Sequence, residues 1–370
     1  MNIVLSVLSI AWMFIILLTE LLFIISLFIR KKVSKTTKIP TVSFVVAVWN
    51  ESLRIGKCIK SLLNQKYPKD KLEIIVIGGG SDNTSFICQQ YQKKGKIIFL
   101  QEKVRKGKWF SLNRGIKMAK NKIIAFTDAD CVLSTNWLTH LVSRLNDGDI
   151  IVSPYVYSST KTFAHKMSYI TTLVLNSLMT NLSKIFKLSR FFGFGCLMKR
   201  TVLEKIKFKK SFIEDLLFSY EAQKQGFKII VDSEVRPIQA NPNRLSDIEQ
   251  FMRRSVPVVL KEITKMQDST SFFTLGYSLL SIISLPIWPY FLFTGNKFVI
   301  LMTLVFLLIS FVTYLLILII EKRLSKLHYF PLLILSVFVY TSIGIKELIA
   351  SLFNKNKSWD YVWPIYNKAE

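Results

Sequence analysis

The segment IIAFTDADC, residues 123–131, decides how the sequence is interpreted. Its first residues are apolar or small, which is typical of a buried strand, and Asp128 and Asp130 follow where that strand should end. Two carboxylates this close repel each other unless a cation or a proton lies between them. Mg²⁺ and Mn²⁺ take oxygen ligands and keep positions open for phosphate oxygens. The segment therefore predicts a divalent-metal and diphosphate site at a strand end.

The same letters allow a second interpretation. DADCV also matches DxDxV, the nucleophile loop of haloacid-dehalogenase-type phosphatases, in which the first aspartate attacks phosphorus and the second acts as an acid. That fold usually places the motif on its first strand. Here three candidate strands precede it, which counts against a phosphatase.

Strands and helices alternate around this segment. Apolar, β-branched runs predict strands, and apolar residues at helical spacing predict helices between them. The predicted strands are 43–49, 72–80, 96–101 and 122–130, and the helices are 54–65, 82–95 and 108–120. The fold class is therefore α/β, a mostly parallel Rossmann-like sheet with helices on both faces. Ligands bind beyond the carboxyl ends of such strands, where 50–51, 78–82 and 128–130 should line one crevice.

Long apolar segments lie at both ends of the chain. Residues 3–29 are long enough to cross a bilayer and are followed by a basic cluster, which indicates a retained anchor whose C-terminal end faces the cytoplasm. Further apolar stretches cover 272–293, 298–320 and 329–352, and two prolines in the first suggest a bent or re-entrant segment. The predicted domains are an anchor at 1–36, a cytosolic catalytic domain at 37–269 and a transmembrane region at 270–370.

The net charge and the cysteine and histidine content limit the kinds of molecule or metal that the protein is expected to bind. The formal net charge is +26, and with apolar spans at both ends anionic membrane lipids are a better match than nucleic acid. None of the four cysteines forms a CxxC pair, and the three histidines are scattered, so neither a zinc site nor a histidine metal cage is expected. Segments 163–192 and 247–266 are apolar and basic, and each is either an interfacial helix or an ordinary amphipathic surface helix.

Six segments together resemble the family-2 glycosyltransferases, nucleotide-sugar enzymes with the GT-A fold. Their order and spacing agree with that family over about 37–269, which is more specific than any one motif. The segments are VAVWNES at 46–52, RKGKWFSLNRG at 105–115, FTDADC at 126–131, FFGFGCLMKRTVL at 191–203, FIEDLLFSYEAQKQGFKI at 212–229 and QFMRR at 250–254. They correspond to the family's P-A-Y-N-E strand end, G-K-x-x-A-L-N-x-G helix start, DxD motif, glycine-bearing acceptor loop, E-D helix and Q-x-x-R-W motif.

The resemblance implies roles for individual residues. Asp215 would be the general base that deprotonates the acceptor hydroxyl, with Glu214 orienting or tuning it. Asp130 would bind Mn²⁺ or Mg²⁺, and Asp128 would share in the metal site and seat the nucleotide. The other implied nucleotide-sugar contacts are Glu51, Asp82, Lys108, Gln250, Arg253 and Arg254.

Two departures from the family pattern affect specificity. Gly78, Gly79 and Gly80 stand where the family usually has D-D-G or D-G-G, so the aspartate that commonly contacts the base is absent and Asp82 is its candidate substitute. Arg254 replaces the tryptophan of Q-x-x-R-W, which in processive synthases helps to hold the growing chain. This second change favours a single transfer.

The sequence thus predicts an integral membrane, metal-dependent inverting glycosyltransferase. It would move a sugar from a UDP- or GDP-sugar to a membrane lipid or a lipid-linked saccharide, such as one carried on a polyprenyl phosphate. A processive polysaccharide synthase, a phosphatase, a transporter and a non-catalytic scaffold remain as alternatives.

Overall fold

The computed structural model describes residues 2–29, 36–186, 195–211, 213–263 and 297–353. The chain divides into two compact units. The sheet unit contains all the strands, and the helical unit contains the long N-terminal and C-terminal helices together with two helices from the middle of the chain.

In its described residues, the sheet unit has ten strands and six α-helices. The strands are β1 (Val42–Trp49), β2 (Leu72–Gly79), β3 (Ile98–Gln101), β4 (Ile123–Thr127), β5 (Cys131–Val132), β6 (Ile150–Val152), β7 (Val156–Tyr157), β8 (Gly195–Lys199), β9 (Ile229–Val231) and β10 (Ile238–Gln239). The helices are α2 (Ile55–Leu63), α3 (Thr84–Lys93), α4 (Lys108–Met118), α5 (Trp137–Ser143), α7 (Arg200–Lys205) and α8 (Glu214–Lys224).

Seven strands form one sheet in the order β3-β2-β1-β4-β8-β6-β9. Strands β3, β2, β1 and β4 are parallel, and β8 runs antiparallel to β4 and to β6. The predicted α/β fold with a mostly parallel sheet is confirmed. The expected loop at 191–203 is different: its described part is strand β8 followed by helix α7, and residues 191–194 lie outside the described residues.

Both faces of this sheet are covered, which explains why its strands read as continuous apolar runs. On β1, Phe44 and Val46 point to one buried cluster, and Val45 points to the other. The first cluster includes residues of α2, α3 and α5, and the second includes residues of α4, α7 and α8. Helices on both faces leave the strand ends as the place where polar side chains can gather.

A second sheet of three very short strands has the order β5-β10-β7. Strand β5 follows the paired aspartates directly, and β10 pairs with it so that Gln239 lies opposite Cys131. The sequence pattern does not predict this sheet, because two-residue strands are too short to show a periodicity. Its effect is to bring a distant segment of the chain beside Asp130.

The helical unit contains α1 (Asn2–Phe28), α6 (Phe163–Leu182), α9 (Leu245–Ile263), α10 (Lys297–Ile320) and α11 (Phe330–Phe353). Two stretches, Thr303–Ile320 and Leu324–Ala350, are long and apolar enough to cross a membrane. Helices α1, α10 and α11 coincide with the predicted spans at 3–29, 298–320 and 329–352. The predicted segment at 272–293 lies outside the described residues.

Helices α6 and α9 belong to this unit, although the sequence places them within the predicted domain 37–269. Phe23 of α1, Leu182 of α6 and Ile317 of α10 form one buried cluster. Met167 of α6 and Ile248 of α9 form another with residues of α11. Helix α6 therefore packs against several helices of its unit, which the sequence could not predict because these partners are distant in the chain. Its position as an interfacial or surface helix stays a prediction.

A histidine network ties α5 to the end of β9. His140 Nε2 lies 3.0 Å from Asp232 Oδ1, and His140 Nδ1 lies 3.7 Å from Glu234 Oε1. One ligating atom from each of the three residues lies within 4.8 Å of the others, a spacing that can suit a metal ion. However, Arg144 Nε lies 3.0 Å from Asp232 Oδ2, so a guanidinium already neutralises this carboxylate. We interpret the group as an ion-pair network.

This network predicts a pH-dependent stability. The hydrogen bond to Asp232 raises the pKa of His140 above its ordinary value of 6.5, although burial opposes the shift. The stabilisation by the charged imidazole is therefore fully present below about pH 6.5 and is lost as the pH rises through the folded-state pKa. The melting temperature should fall over that interval, and His140→Gln should remove this fall. His328→Gln, at an exposed histidine, is the control; an unchanged pH profile in His140→Gln would contradict the prediction.

Candidate active site

The loops that follow β1 and β2 are joined by hydrogen bonds. Asn50 N donates to Gly79 O at 3.1 Å, and Ser81 N donates to Asn50 Oδ1 at 2.7 Å. Asn50 adopts a left-handed conformation with φ 57°, which asparagine tolerates better than most residues. Residues 50–51 and 78–82, which were predicted to line one crevice, therefore belong to two loops that are joined by hydrogen bonds.

The glycines of this crevice are required by the closeness of the two loops. Gly78 and Gly80 have φ values of 136° and 149°, which L side chains rarely adopt. A Cβ on Gly78 would overlap the Val48 carbonyl oxygen, and one on Gly80 would overlap Asn50 Oδ1. The family's usual acidic side chain is thus replaced by a backbone conformation that leaves no room for it.

Asp82 holds the same two loops together. Its Oδ1 accepts from Thr84 N and Thr84 Oγ1, and its Oδ2 accepts from Ser52 N at 3.1 Å. Burial alone would raise the pKa of Asp82, but these hydrogen bonds lower it well below its ordinary value of 3.8. The carboxylate is therefore charged and already engaged within the loops, and its predicted contact with a nucleotide base remains a prediction.

Lys108 connects the first aspartate of the DxD motif to helix α8. It is the first residue of α4, and its Nζ lies 2.6 Å from Asp128 Oδ1 and 3.5 Å from Glu214 Oε1. Burial would lower the pKa of Lys108, but the carboxylates of Asp128, Glu214 and Asp215 raise it above its ordinary value of 10.5. A permanent cation therefore lies between the strand end and the acids of α8.

Asp130 lies in a more negative environment than Asp128. Burial, and then the charges of Asp128 and Glu51, raise the pKa of Asp130 above its ordinary value of 3.8. Gln239 Nε2 lies 3.5 Å and 3.4 Å from its two carboxylate oxygens, and Arg54 lowers the pKa from further away. A carboxylate held among like charges, with only weak partners of its own, is suited to a cation.

Glu214 and Asp215 form the first turn of α8, where acidic side chains interact favourably with the helix dipole. Glu214 is buried, with 6% of its surface exposed, whereas Asp215 is partly exposed. Burial raises the pKa of Glu214 above its ordinary value of 4.5, and Lys108 opposes this shift. The exposed member of the pair is thus the one accessible to a substrate, and the buried member anchors the helix end to Lys108.

Glu51, the remaining predicted residue of this unit, is buried at 8% exposure directly after β1. Its Oε2 lies 3.3 Å from Arg54 Nη1. The structure therefore brings Glu51, Lys108, Asp128, Asp130, Glu214 and Asp215 into one continuous electrostatic network.

The three other predicted residues lie in the helical unit, on α9. Arg253 Nε lies 3.4 Å from Glu347 Oε1 of α11, and its Nη2 lies 3.5 Å from Glu249. Arg254 Nε donates to the carbonyl oxygen of Gln250. Their participation in a nucleotide-sugar site remains a prediction.

Gln239 and Arg54 are site residues that sequence reasoning missed. Gln239 belongs to a two-residue strand that carries no recognisable pattern. Arg54 stands three positions after Glu51. An acid and a base at this i, i+3 spacing near a helix start could have predicted their ion pair.

The residues present fit a divalent cation. Asp130 supplies carboxylate oxygens at a buried strand end, Asp128 lies close enough to influence its ionisation, and the amide of Gln239 offers a further oxygen if it rotates. Such an oxygen-rich donor set suits Mg²⁺ or Mn²⁺ better than a thiophilic metal.

Lys108 gives a direct test of the site's electrostatics. In Lys108→Gln, the carboxylates of Asp128 and Glu214 lose their counter-ion, so a nucleoside diphosphate should bind about 10- to 150-fold more weakly, in line with a charged hydrogen bond worth roughly 1.5–3 kcal/mol. Calorimetry with UDP and GDP measures this effect. Lys106→Gln removes a nearby exposed lysine as the matched control. Equal affinities in the two variants would refute the prediction.

Comparisons with known proteins agree with this geometry. Residues 43–207 match the family model described as Glycosyl transferase family 2. The mannosyltransferase PcManGT from Pyrobaculum calidifontis, solved in complex with GDP-Man and Mn²⁺, superposes with a TM-score of 0.62 at 19% identity, covering 95% of this chain and 99% of that one. The fold of this chain is therefore that of the GT-A glycosyltransferases.

Curated relatives match over shorter stretches. The chain is 34% identical over 113 residues to glycosyltransferase AglE of Haloferax volcanii, covering 30% of this chain and 37% of the relative. It is also 34% identical over 100 residues to the poly-beta-1,6-N-acetyl-D-glucosamine synthase of Staphylococcus epidermidis, covering 27% and 24%. The chain thus spans 37% and 24% of the lengths of these two relatives. Residues 43–207 are therefore similar to a family 2 glycosyltransferase domain, and the sheet has the GT-A fold, which counts against the dehalogenase-type phosphatase.

Proposed function

We propose that this protein is a membrane-anchored, inverting glycosyltransferase that moves a sugar from a UDP- or GDP-sugar to a membrane lipid or a lipid-linked saccharide. The single observation that carries this proposal is the bridge formed by Lys108. It joins Asp128, at the donor side of the site, to Glu214, the neighbour of the candidate base Asp215. Donor-binding and acceptor-activating groups therefore belong to one site.

The proposed reaction is one displacement at the anomeric carbon of the donor sugar. The acceptor hydroxyl gives its proton to Asp215 as its oxygen forms the new bond to that carbon. The bond from the carbon to the diphosphate oxygen breaks, and the nucleoside diphosphate leaves with the electron pair. Lys108 stabilises the negative charge that develops on the diphosphate.

The divalent ion, held by Asp130 and Asp128, would neutralise charge on the diphosphate and improve the leaving group. The Mn²⁺ and GDP-Man recorded with the structurally similar mannosyltransferase support testing this ion and this class of donor first. Glu51 and Asp82 would complete the nucleotide-sugar site within the sheet unit, and the roles of Gln250, Arg253 and Arg254 in binding the nucleotide-sugar stay predictions.

A lipid acceptor is supported by the apolar helices of the chain. Thr303–Ile320 and Leu324–Ala350 have the length and composition of membrane spans, and the net charge of +26 favours an anionic membrane surface. An enzyme held in the bilayer meets acceptors that cannot leave it. We place the catalytic domain in the cytosol, because the basic residues after α1 favour a cytoplasmic end.

A processive polysaccharide synthase is the second candidate, favoured by the 34% identity to the staphylococcal synthase over 100 residues. Arg254, in place of the tryptophan of Q-x-x-R-W, favours a single transfer instead. The length of the product separates the two candidates.

The experiment uses the full chain purified into liposomes that contain extracted polyprenyl and polar lipids. Radiolabelled UDP- and GDP-sugars are added with Mn²⁺ or Mg²⁺, and label is followed into the lipid phase. Label that enters the lipid phase as a single residue and disappears in Asp215→Asn supports the proposal. A labelled polymer would identify the synthase instead, and no transfer from any donor in the presence of the lipid mixture would count against both.

A further inference from the structure

The side-chain amide of Asn113 forms two hydrogen bonds with the backbone of Phe208, a residue distant in the chain. Asn113 Nδ2 donates to Phe208 O at 2.8 Å, and Phe208 N donates to Asn113 Oδ1 at 3.2 Å. Asn113 lies on α4, the helix that begins at Lys108. One helix therefore supplies both the cation of the site and an attachment for the segment around Phe208.

The ring of Phe208 contacts both β4, which ends just before the paired aspartates, and α8, which begins with Glu214 and Asp215. Phe208 is buried, with 3% of its surface exposed. It stacks on Phe218 of α8 with centroids 4.5 Å apart, and it meets Phe126 of β4 edge to face at 5.7 Å. Phe126 stands two positions before Asp128, and Phe218 stands three positions after Asp215. The ring thus lies between the strand that presents the DxD motif and the helix that presents the candidate base.

The start of α8 is supported by Asp215, whose Oδ1 accepts from Leu216 N at 2.8 Å, but its N-cap residue adds no side-chain hydrogen bond. Ile213 occupies the N-cap position and provides no side-chain hydrogen bond to the helix. The ion pair between Lys108 and Glu214, at 3.5 Å, is one direct link from α4 to the first turn. A second link at Phe208 fixes both the position and the direction of the helix.

We infer that Asn113 and Phe208 are positioning residues that hold α8 at a fixed distance from the paired aspartates and so place Asp215 to take the proton of the acceptor hydroxyl. The inference rests on the proposed function and assigns the asparagine of the helix-start motif a task that does not involve the donor. Misplacing a catalytic group by about 1 Å can cost on the order of a hundredfold in rate. Such a shift of α8 would leave Asp128 and Asp130, which follow strand β4, where they are.

The test compares Asn113→Ala with Gln92→Ala in the full-length protein. Gln92 is the matched control, because its side-chain oxygen also accepts from a backbone amide, that of Phe99, on the edge strand β3. For Asn113→Ala we expect hydrogen exchange in residues 206–217 to be at least tenfold faster. We also expect kcat for sugar transfer to fall about 10–100-fold, with KM for the donor within threefold of the wild type. Gln92→Ala should change neither quantity.

Phe208→Leu keeps the backbone hydrogen bonds and removes the ring contacts, so it replaces Asn113→Ala if that variant does not fold. Unchanged exchange at 206–217 would overturn the inference whatever the substrate is. Faster exchange with an unaltered kcat, or a loss of activity that only follows the unfolded fraction, would overturn it as well. A wild type that transfers no sugar would instead count against the proposed function, and the exchange result would still decide whether Asn113 holds α8.

Discussion

Replacement of Asp215 by asparagine is expected to lower the rate of sugar transfer by about 10²–10⁴-fold, the range that general-base catalysis usually contributes. Asparagine has nearly the same shape, and its side-chain oxygen can still accept from Leu216 N, as Asp215 Oδ1 does at 2.8 Å. It has no basic oxygen that can take the acceptor's proton. The loss should therefore appear in kcat, while the affinity for the nucleotide changes little.

The protein should remain folded in this variant. Asp215 is partly exposed, and the loss of one charge from the first turn of a helix typically costs only about 0.3–1 kcal/mol. Glu221→Gln removes a carboxylate from the same helix, further from Lys108, and serves as the control for the charge change. Transfer by Asp215→Asn at the rate of Glu221→Gln would show that another group accepts the proton.

Asp130→Asn should abolish the response to a divalent cation. The amide removes the charge that would bind the ion, so the Kd for Mn²⁺ should rise at least tenfold and transfer should fall about a hundredfold or more. Titration of free Mn²⁺ by electron paramagnetic resonance measures the binding without any substrate. Asp149→Asn is the control, because Asp149 pairs with Lys199 at 3.0 Å elsewhere in the sheet unit.

The same substitution should change stability in the opposite direction. Without the ion, the charge of Asp130 is opposed by burial and by the charges of Asp128 and Glu51, and this opposition is what raises the pKa of Asp130. An amide removes this repulsion, so the metal-free variant should melt at a higher temperature than the wild type near neutral pH. Full Mn²⁺ affinity in Asp130→Asn, or a lower melting temperature, would contradict this account of the site.

Much of the sheet unit could be predicted from the sequence, because each of its longer strands is specified by residues that are consecutive in the chain. The run at 122–130 predicted a strand that ends at the paired aspartates, and β4 ends at Thr127, directly before Asp128. The glycines at 78–80 marked the end of β2 in the same way. Buried parallel strands are recognisable because their apolar residues are consecutive.

The remaining features depend on contacts between distant parts of the chain. Gln239 reaches Asp130 through a strand of two residues, and Phe208 receives its partner from a helix almost a hundred positions earlier. The pattern of α6 indicated an apolar helix but could not show that α1, α10 and α11 would cover it. Local sequence thus predicts the elements, whereas the supports around the acids depend on pairings that only the fold creates.

The two carboxylates around Lys108 also affect the order of events in a catalytic cycle. An incoming diphosphate must compete for an ammonium group that already has two anionic partners, so binding exchanges one set of ion pairs for another. Nucleotide affinity would thereby be moderated, and after the product departs Lys108 would pair again with Asp128 and Glu214. In the proposed reaction these two carboxylates would act as internal competitors that favour release of the spent nucleotide, and they would weaken donor binding by the same means.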